Sequence, residues 1–449
     1  MNKSRRDFVK KTLTGAAAVS FGGVLPGFNA KSYASIIGAN ERIKVASMGV
    51  NSRGFAVGIN FASQPDCEVI YSCDVDKRAN EKFVAAVEKV QNKKPKAKED
   101  FRNALDDKQL DALLVTCPDH WHAPATILAL QAGKHVYLEK PCSHNPYEGE
   151  LLIEAVKKYN KVVQMGNQRR SFPNSIEAIR ELRSGVIGRP YFAKAWYSNN
   201  RHLLEEGKEV PVPSWLNYEL WQGPAPRQPY KDNIIHYNWH WFWNWGTGEA
   251  LNNGTHTVDL ARWGLGVDYP ISVSSSGGRY QQKNWETPDT QVINMEFDNK
   301  TLISWEGRSC NNHNIEGDSV GVIFYGEKGS LVLPGSNQYR IYDEKGKILK
   351  EVKNEIMADE SLKLSDPTQQ LDVYHIRNFF DGIRKGSKLN SDIESGHKST
   401  LLVQLGNISL RSGQSLKIDP KNGHIIDNEE AMKYWSRDYE PGWEPKLIP

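Results

Sequence analysis

Four short clusters of glycine or polar residues, each at the end of an apolar run, have the chemistry of a nucleotide-binding crevice. The first, Gly49-Val50-Asn51-Ser52-Arg53-Gly54, follows Ile43–Met48 and precedes a helical pattern beginning near Phe55. It reads as a dinucleotide fingerprint with its middle glycine replaced by Asn51. Gly49 permits the tight turn, Gly54 permits close helix-on-strand packing, and the helix N-terminus faces a pyrophosphate. Asp74, 25 residues after Gly49, follows the second apolar run, where a carboxylate binds ribose hydroxyls and disfavours a 2′-phosphate. The expected cofactor is therefore NAD; Lys77 and Arg78 nearby keep NADP open. Cys117-Pro118-Asp119-His120 and Glu139-Lys140-Pro141 close the third and fourth runs, and ligands of open α/β sheets bind beyond such strand ends. His120 and His122, two apart, do not share a helix face and have no evident third ligand, so no metal site is expected.

A second group of candidates lies further on. Tyr237-Asn238-Trp239-His240-Trp241-Phe242-Trp243-Asn244-Trp245 sets four tryptophans at a spacing of two. Such rings stack on sugar faces while Tyr237 and His240 reach hydroxyls; the alternative is an aromatic segment packed inside a domain. Arg169 and Arg170 are candidates for a polar or anionic substrate group, or for the surface.

The elements that must position these residues follow from hydrophobic periodicity. From Arg42 to about Gln168, short apolar strands (Ile43–Met48, Glu68–Cys73, Ala112–Thr116, His135–Leu138, Val162–Met165) alternate with helical stretches such as Ala123–Ala132 and Tyr147–Tyr159. This predicts an α/β domain, a Rossmann-type doubly wound parallel sheet. The lysine-rich run Lys93–Lys98 reads as a solvated loop. After Gln168, a helix at Pro173–Arg183 precedes strand-like runs at Tyr191–Tyr197, Val292–Phe297, Thr301–Trp305 and Val320–Tyr325, then a hairpin turning at Lys345-Gly346. These predict an α+β domain with a large, mainly antiparallel open sheet. Tyr374–Arg384 and His397–Arg411 read as helices packing back on the body. The expected division is a leader (1–35), a dinucleotide-binding domain (41–168), a substrate-binding and oligomerisation domain (169–430) and a C-terminal tail (431–449) that wraps the surface.

Composition narrows the function classes. Fifty-seven basic against 54 acidic residues give a net charge of +3, too even for the basic stripe of a nucleic-acid binder. The five cysteines show no zinc spacing, and no structural disulfide is expected. Ser4-Arg5-Arg6-Asp7-Phe8-Val9-Lys10 before the weakly hydrophobic Leu13–Leu25 reads as a twin-arginine export signal, and Leu13–Leu25 is too short for a stable membrane span. The expected mature protein is soluble and periplasmic, without a membrane span.

Gly49–Gly54, Asp74, Pro118-Asp119-His120-Trp121-His122 and Glu139-Lys140-Pro141 together resemble the glucose–fructose oxidoreductase / inositol dehydrogenase (Gfo/Idh/MocA) family, in motif order from about Arg42 through Arg411. The resemblance implies that Lys140 lies beside the nicotinamide and hydrogen-bonds the reacting hydroxyl, that the peptide before Pro141 is often cis, and that the protein is a homo-oligomer, a dimer or tetramer built on the open sheet. The family pattern Asp-x-Gly-x-His, with Asp three residues on, is met by Asn252-Asn253-Gly254-Thr255-His256 and Asp259. His256 thus stands at the acid/base position and Asp259 at the substrate side. Asn252 replaces an aspartate, so only an amide is left to orient the ring, and it stabilises an imidazolium less than a charge does.

The function implied is NAD(P)-dependent hydride transfer from a hydroxyl of a sugar, polyol or glycoside. Export adds a constraint, because free NAD is not expected outside the cytoplasm. A tightly held cofactor and a redox-neutral cycle follow: paired oxidation and reduction of two sugars, or an NAD-dependent glycosidase working through transient oxidation. A non-catalytic NAD-bound sugar-binding protein is the third alternative, with Asn252 as its only support.

Overall fold

A computed structural model describes residues 42–354 and 367–448. The twin-arginine segment lies outside the described residues. The first sheet has six strands: β1 (Ile43–Met48), β2 (Cys67–Cys73), β3 (Lys96–Lys98), β4 (Ala112–Val115), β5 (His135–Leu138) and β6 (Val163–Met165). All pair in parallel in the order β3-β2-β1-β4-β5-β6. The order reverses between β1 and β4, and that switch point opens a crevice at the carboxyl ends. Helices cover both faces, so β4 is buried at every position and its sequence shows no polar alternation.

Local signals account for the helices α1 (Arg53–Ala62), α2 (Lys77–Gln91), α3 (Asp119–Gln131) and α4 (Pro146–Tyr159). In α4, the Asn145 side chain caps the Glu148 N–H at 3.0 Å, Pro146 occupies the first turn, Lys157 and Lys158 the last, and Asn160 ends it in a left-handed conformation. Two sequence expectations fail here. Helix α3 starts four residues before Ala123 and so carries His120 and His122. Pro124 within it lacks the N–H that would bond the His120 carbonyl, and Arg437 from the tail donates to that oxygen instead at 2.7 Å. The lysine-rich run is not all loop: Lys96–Lys98 pairs with Tyr71–Cys73 as the edge strand. Edge pairing uses main-chain groups and tolerates charged side chains.

The second domain is a nine-stranded sheet. Its strands are β7 (Pro190–Ser198), β8 (Ser272–Gly278), β9 (Thr290–Glu296), β10 (Leu302–Arg308), β11 (Val320–Gly326), β12 (Gly329–Pro334), β13 (Tyr339–Asp343), β14 (Ile348–Val352) and β15 (Leu416–Lys417). The order is β14-β13-β12-β11-β7-β10-β9-β8-β15, antiparallel except for β7 beside β10. Alternate residues of β9 and β10 are buried, as one-sided coverage requires. Helices α5 (Pro173–Arg183), α6 (Thr255–Leu265) and α8 (Ile393–Ser412) supply that cover.

Helix α7 (Asp372–Lys385) departs from the expected division. It falls within 169–430, yet Phe379 and Phe380 pack edge-on against Phe61 of α1 and complete the first domain's core. The tail is shared between the domains: Ala431 and Trp435 join the second domain's core, while Trp443 packs edge-on against Trp121 and Tyr159 donates to the Ile448 carbonyl. All five cysteines are free. Among the described residues, no helix is long and apolar enough to cross a membrane.

Candidate active site

One large cleft of about 520 Å³ runs along the domain junction, with the glycine-bearing turn after β1 at one end and the start of α6 at the other. At the β1 end, Gly49 has φ +79°, and a Cβ there would stand 2.7 Å from the Cys117 backbone. A Cβ on Gly54 would meet the Gly49 carbonyl at 1.8 Å. Both positions need glycine, and the turn between them faces the cleft through Asn51, Ser52 and Arg53. Asn51, in the middle position, lines the cleft, and its carbonyl accepts from the Gly54 N–H at 3.0 Å.

Asp74 also lines the cleft. Its two oxygens accept from the Val50 and Asp76 N–H groups at 2.7 and 2.9 Å. Burial pushes its carboxyl up, against the pull of those two donors. Arg78 is committed elsewhere: it pairs with both oxygens of Asp76 and lies 3.4 Å over the Trp215 ring. Arg53 bridges two buried acids, Glu139 at 3.0 Å and Asp372 at 2.7 Å. Burial, with the charge of Glu139, lifts Asp372 to about 6 even against Arg53. Burial also acts to raise Glu139, but Arg53 and Lys140 outweigh it and hold Glu139 low.

At the other end, the Lys140–Pro141 peptide is cis. The Lys140 ammonium donates to the Asn252 carbonyl at 2.6 Å and to its side-chain Oδ1 at 3.1 Å. Asn252 lies in the π-helical turn Ala250–Gly254 that leads into α6. The widened turn leaves its carbonyl available to a side chain. Burial lowers the Lys140 pKa, opposed by Glu139 and Asp119. His256 lines the cleft, and its Nδ1 has no hydrogen-bond partner. Burial, then the charges of Arg169, Lys140 and Arg53, hold this imidazole neutral well below its ordinary pKa. The amide of Asn252 therefore aims the lysine; its Nδ2 donates to Glu249 at 3.3 Å.

Glu249 is a hub the sequence did not disclose. It is 3% exposed and accepts from Arg201 at 2.5 and 3.1 Å, from Asn253 at 2.5 Å and from Ser309 at 3.3 Å. Arg201, Tyr197, Asn199 and Asn253 all line the cleft. Arg201 and Glu249 are 48 residues apart, and no local motif links them. Asp119, inside a recognised motif, also faces the cleft; Thr247 donates to it at 2.6 Å and burial raises its pKa.

The aromatic segment divides between the two expected jobs. Tyr237, Trp239 and His240 line the cleft. His240 stacks on Trp239 at 3.6 Å, and its Nδ1 lies 2.5 Å from the Tyr237 carbonyl. Burial keeps this ring neutral as well. Trp241 does not reach the cleft: it is 2% exposed and stacks on Trp285 at 3.8 Å. The segment forms a 3-10 turn over Asn238–Trp241, so a spacing of two does not place its rings on one face.

Three further candidates, His120, Asp259 and Arg170, also fall outside the cleft. His120 is buried between the carbonyls of Trp221 (2.9 Å) and Trp245 (3.3 Å), and burial lowers its pKa to about 3. Asp259 is buried in a two-bond pair with Arg170, both at 2.8 Å. Pro118, His122 and Arg169 do line it. The His122 ring bonds the Pro141 and Cys117 carbonyls at 2.5 and 2.8 Å, tying α3 to the cis turn.

A switch-point crevice with a glycine-bearing turn, a ribose-side acid and a facing lysine and histidine defines a dinucleotide-dependent oxidoreductase fold. Residues 43–167 match the oxidoreductase family's NAD-binding Rossmann fold, and 182–418 match its C-terminal alpha/beta domain. The chain belongs to the Gfo/Idh/MocA oxidoreductase family. Among curated proteins it is similar to a glycosyl hydrolase family 109 protein of Saccharopolyspora erythraea, 26% identical over 51% of this chain and 55% of that one. The chain spans about half the length of the curated relatives it matches. Among solved structures, aldose-aldose oxidoreductase of Caulobacter crescentus, complexed with glycerol, superposes with a TM-score of 0.64 at 17% identity, covering 84% of this chain and 100% of that one. Levoglucosan dehydrogenase, in complex with NADH and levoglucosan, superposes with a TM-score of 0.63 at 18% identity, covering 84% and 99%.

Proposed function

We propose that this protein oxidises a hydroxyl of a sugar, polyol or glycoside by hydride transfer to NAD, and that it keeps the dinucleotide between turnovers. The observation that carries the reading is the meeting of Lys140 and His256 in one cleft with the Gly49–Gly54 turn and Asp74. The tight turn between Gly49 and Gly54, which faces the cleft at the start of α1, suits a pyrophosphate, and Asp74 suits a ribose. A nicotinamide dinucleotide bound there supplies the hydride acceptor. Neutral His256 takes the hydroxyl proton. Lys140, held by Asn252, stabilises the alkoxide that develops, and its lowered pKa makes it a ready hydrogen-bond donor to that oxygen. Tyr237, Trp239 and His240 offer ring faces and hydrogen bonds to the sugar.

Two observations support NAD over NADP and retention over exchange. Asp74 is the acidic ribose partner, and Arg78, one of the two nearby cations, is held by Asp76 and Trp215. The loop after β2 is also tied to the second domain: Lys77 N–H donates to the Trp215 carbonyl and Asn217 N–H to that of Val75, both at 3.0 Å, and His236 pairs with Asp76 at 2.7 Å. Ser4–Lys10 supports twin-arginine export to the periplasm, where a retained cofactor is needed; fractionation of an Arg5→Lys/Arg6→Lys variant tests it. A homo-oligomer is also inferred. Trp196, Ile323 and Val332 form a small cluster apart from the main core, with Tyr325 and Tyr342 half-buried against it; light scattering of the purified protein tests this.

The redox-neutral glycosidase is the second reading. It is favoured by the names of the curated relatives and by His240, a second neutral imidazole available to take the acidified C–H proton beside a transient ketone. Protein purified from its exported form and denatured should release about one NAD(H) per chain, and a chromogenic glycoside or a sugar then separates the readings. Net NADH absorbance with a sugar supports the dehydrogenase. Aglycone release without NADH supports the glycosidase. A protein that neither contains nor binds NAD or NADP overturns both.

A further inference from the structure

Glu249 takes no part in the reaction described above, yet it stands directly behind the residue that holds Lys140. It does not line the dinucleotide cleft and is 3% exposed, so any effect it has on the chemistry passes through its neighbours. It immediately precedes the π-helical turn Ala250–Gly254 that contains Asn252. Its Oε1 accepts from Asn252 Nδ2 at 3.3 Å and from Asn253 Nδ2. Arg201, just past the end of β7, holds both carboxylate oxygens, and the Ser309 hydroxyl, just past β10, donates to Oε2. Two strand ends and the turn therefore fix this carboxylate together.

The chemistry of the neighbours leaves the Asn252 amide one orientation. An ammonium only donates and a carboxylate only accepts, whereas a carboxamide has one end of each kind. Lys140 Nζ lies at one end, 3.1 Å from Oδ1, and Glu249 lies at the other. Turned over, the amide would set its NH2 against the ammonium and its oxygen against the carboxylate, and both bonds would be lost. Asn252 is 7% exposed, so little water is at hand to replace them. The same geometry explains why an amide stands here. An aspartate would put two carboxylates about 3.3 Å apart, and one of such a pair keeps its proton.

We infer that Glu249 is a positioning residue that acts through the Asn252 amide to fix where the Lys140 ammonium points in the cleft. The part Lys140 plays in catalysis rests on the reaction proposed above; its dependence on Glu249 does not. The other charges acting on Lys140 are Glu139, Asp119 and Arg53, and the His256 and His240 rings beside it are neutral. All of these stay in place in the test.

The full chain as purified is treated with acetic anhydride across a pH series, and acetylation of Lys140 is read by mass spectrometry, which needs no turnover. Steady-state kinetics are measured beside it. In Glu249→Gln the pH midpoint of Lys140 labelling should fall by about one pH unit, because a nearby negative charge is gone. Its kcat should fall about tenfold, with KM and dinucleotide content held. Asn252→Asp should also lower kcat by about tenfold. Glu249→Gln/Asn252→Asp, which moves the carboxylate from 249 to 252 and sets an amide behind it, should return kcat to within about threefold of wild type and raise the midpoint again. An acid that merely braced the fold would not show this mutual rescue. A Lys140 midpoint unmoved in Glu249→Gln, in a variant that melts as the wild type does, overturns the inference. So does a double variant no faster than either single one. Should Glu249→Gln not fold, Glu249→Asp takes its place: it keeps the charge but draws it back from Asn252 by one methylene, and the absence of any fall in the midpoint overturns the inference there. An inactive wild type whose Lys140 midpoint still follows Glu249 supports the inference and refutes the reaction instead.

Discussion

Replacing Asp372 by asparagine should change how stability depends on pH, by an amount the structure sets. Asp372 sits at the start of α7, buried, 2.7 Å from Arg53 and close enough to Glu139 to feel its charge. Its carboxyl is raised to about 6 in the folded protein, against the ordinary carboxylate value in the unfolded chain. The folded state therefore holds this proton more tightly. Its contribution to stability is complete below the unfolded pKa of roughly 4 and is lost as pH rises through about 6. A difference of about two pKa units corresponds to about 3 kcal/mol. Asp372→Asn cannot titrate, so the loss is absent in the variant. Whatever the substitution costs through the Arg53 contact is nearly constant with pH. Urea denaturation of both proteins at about pH 4 and about pH 7 should show the variant gaining about 2.4 kcal/mol relative to wild type between the two, less than the full difference because the unfolded carboxyl is already half ionised at about pH 4. Curves that stay parallel would refute the reasoning: Arg53 would then hold Asp372 ionised, and burial would not dominate.

Three further outcomes follow from the cleft and the cores. Lys140→Met and His256→Asn should each lower kcat by about 100-fold or more with NAD affinity retained, read by stopped-flow NADH absorbance beside a dinucleotide titration. Gly54→Ala places a methyl against the Gly49 carbonyl, and the purified variant should contain no dinucleotide by mass spectrometry. Phe380→Ala should destabilise the first domain by about 3–5 kcal/mol by opening a cavity between α7 and α1, seen as selective loss of hydrogen-exchange protection in β1 and β4.

Many elements of both domains were legible because their determinants are local. The β5 bounds agree with its apolar run, the α5 bounds with its amphipathic pattern, and the hairpin at Lys345-Gly346 joins β13 to β14 as turn chemistry predicts. Gly49, Gly54 and Asp74 could be read because a tight turn and a strand-end carboxylate depend on neighbours a few residues away. The resemblance then carried Lys140 and His256, which no spacing in this chain connects.

What lay beyond the sequence depended on contacts between distant segments. Asn252 seemed set to orient His256, whereas the π-turn gives both its oxygens to Lys140, 112 residues away. Arg53 read only as a cofactor-binding residue of the dinucleotide turn, but α7 brings Asp372 to it from more than 300 positions on. Trp241 and Asp259 stand in motifs that suggest substrate, and packing turned both inward, the first onto Trp285 and the second onto Arg170. Sequence by itself determined the two-sheet architecture, the glycine-bearing cofactor turn and the residue types able to move a proton, because periodicity and turn chemistry act over a few residues. Tertiary structure alone decided which of those side chains share a cleft, because pairing between buried charges and rings is set by which surfaces the folded chain brings within a few ångströms.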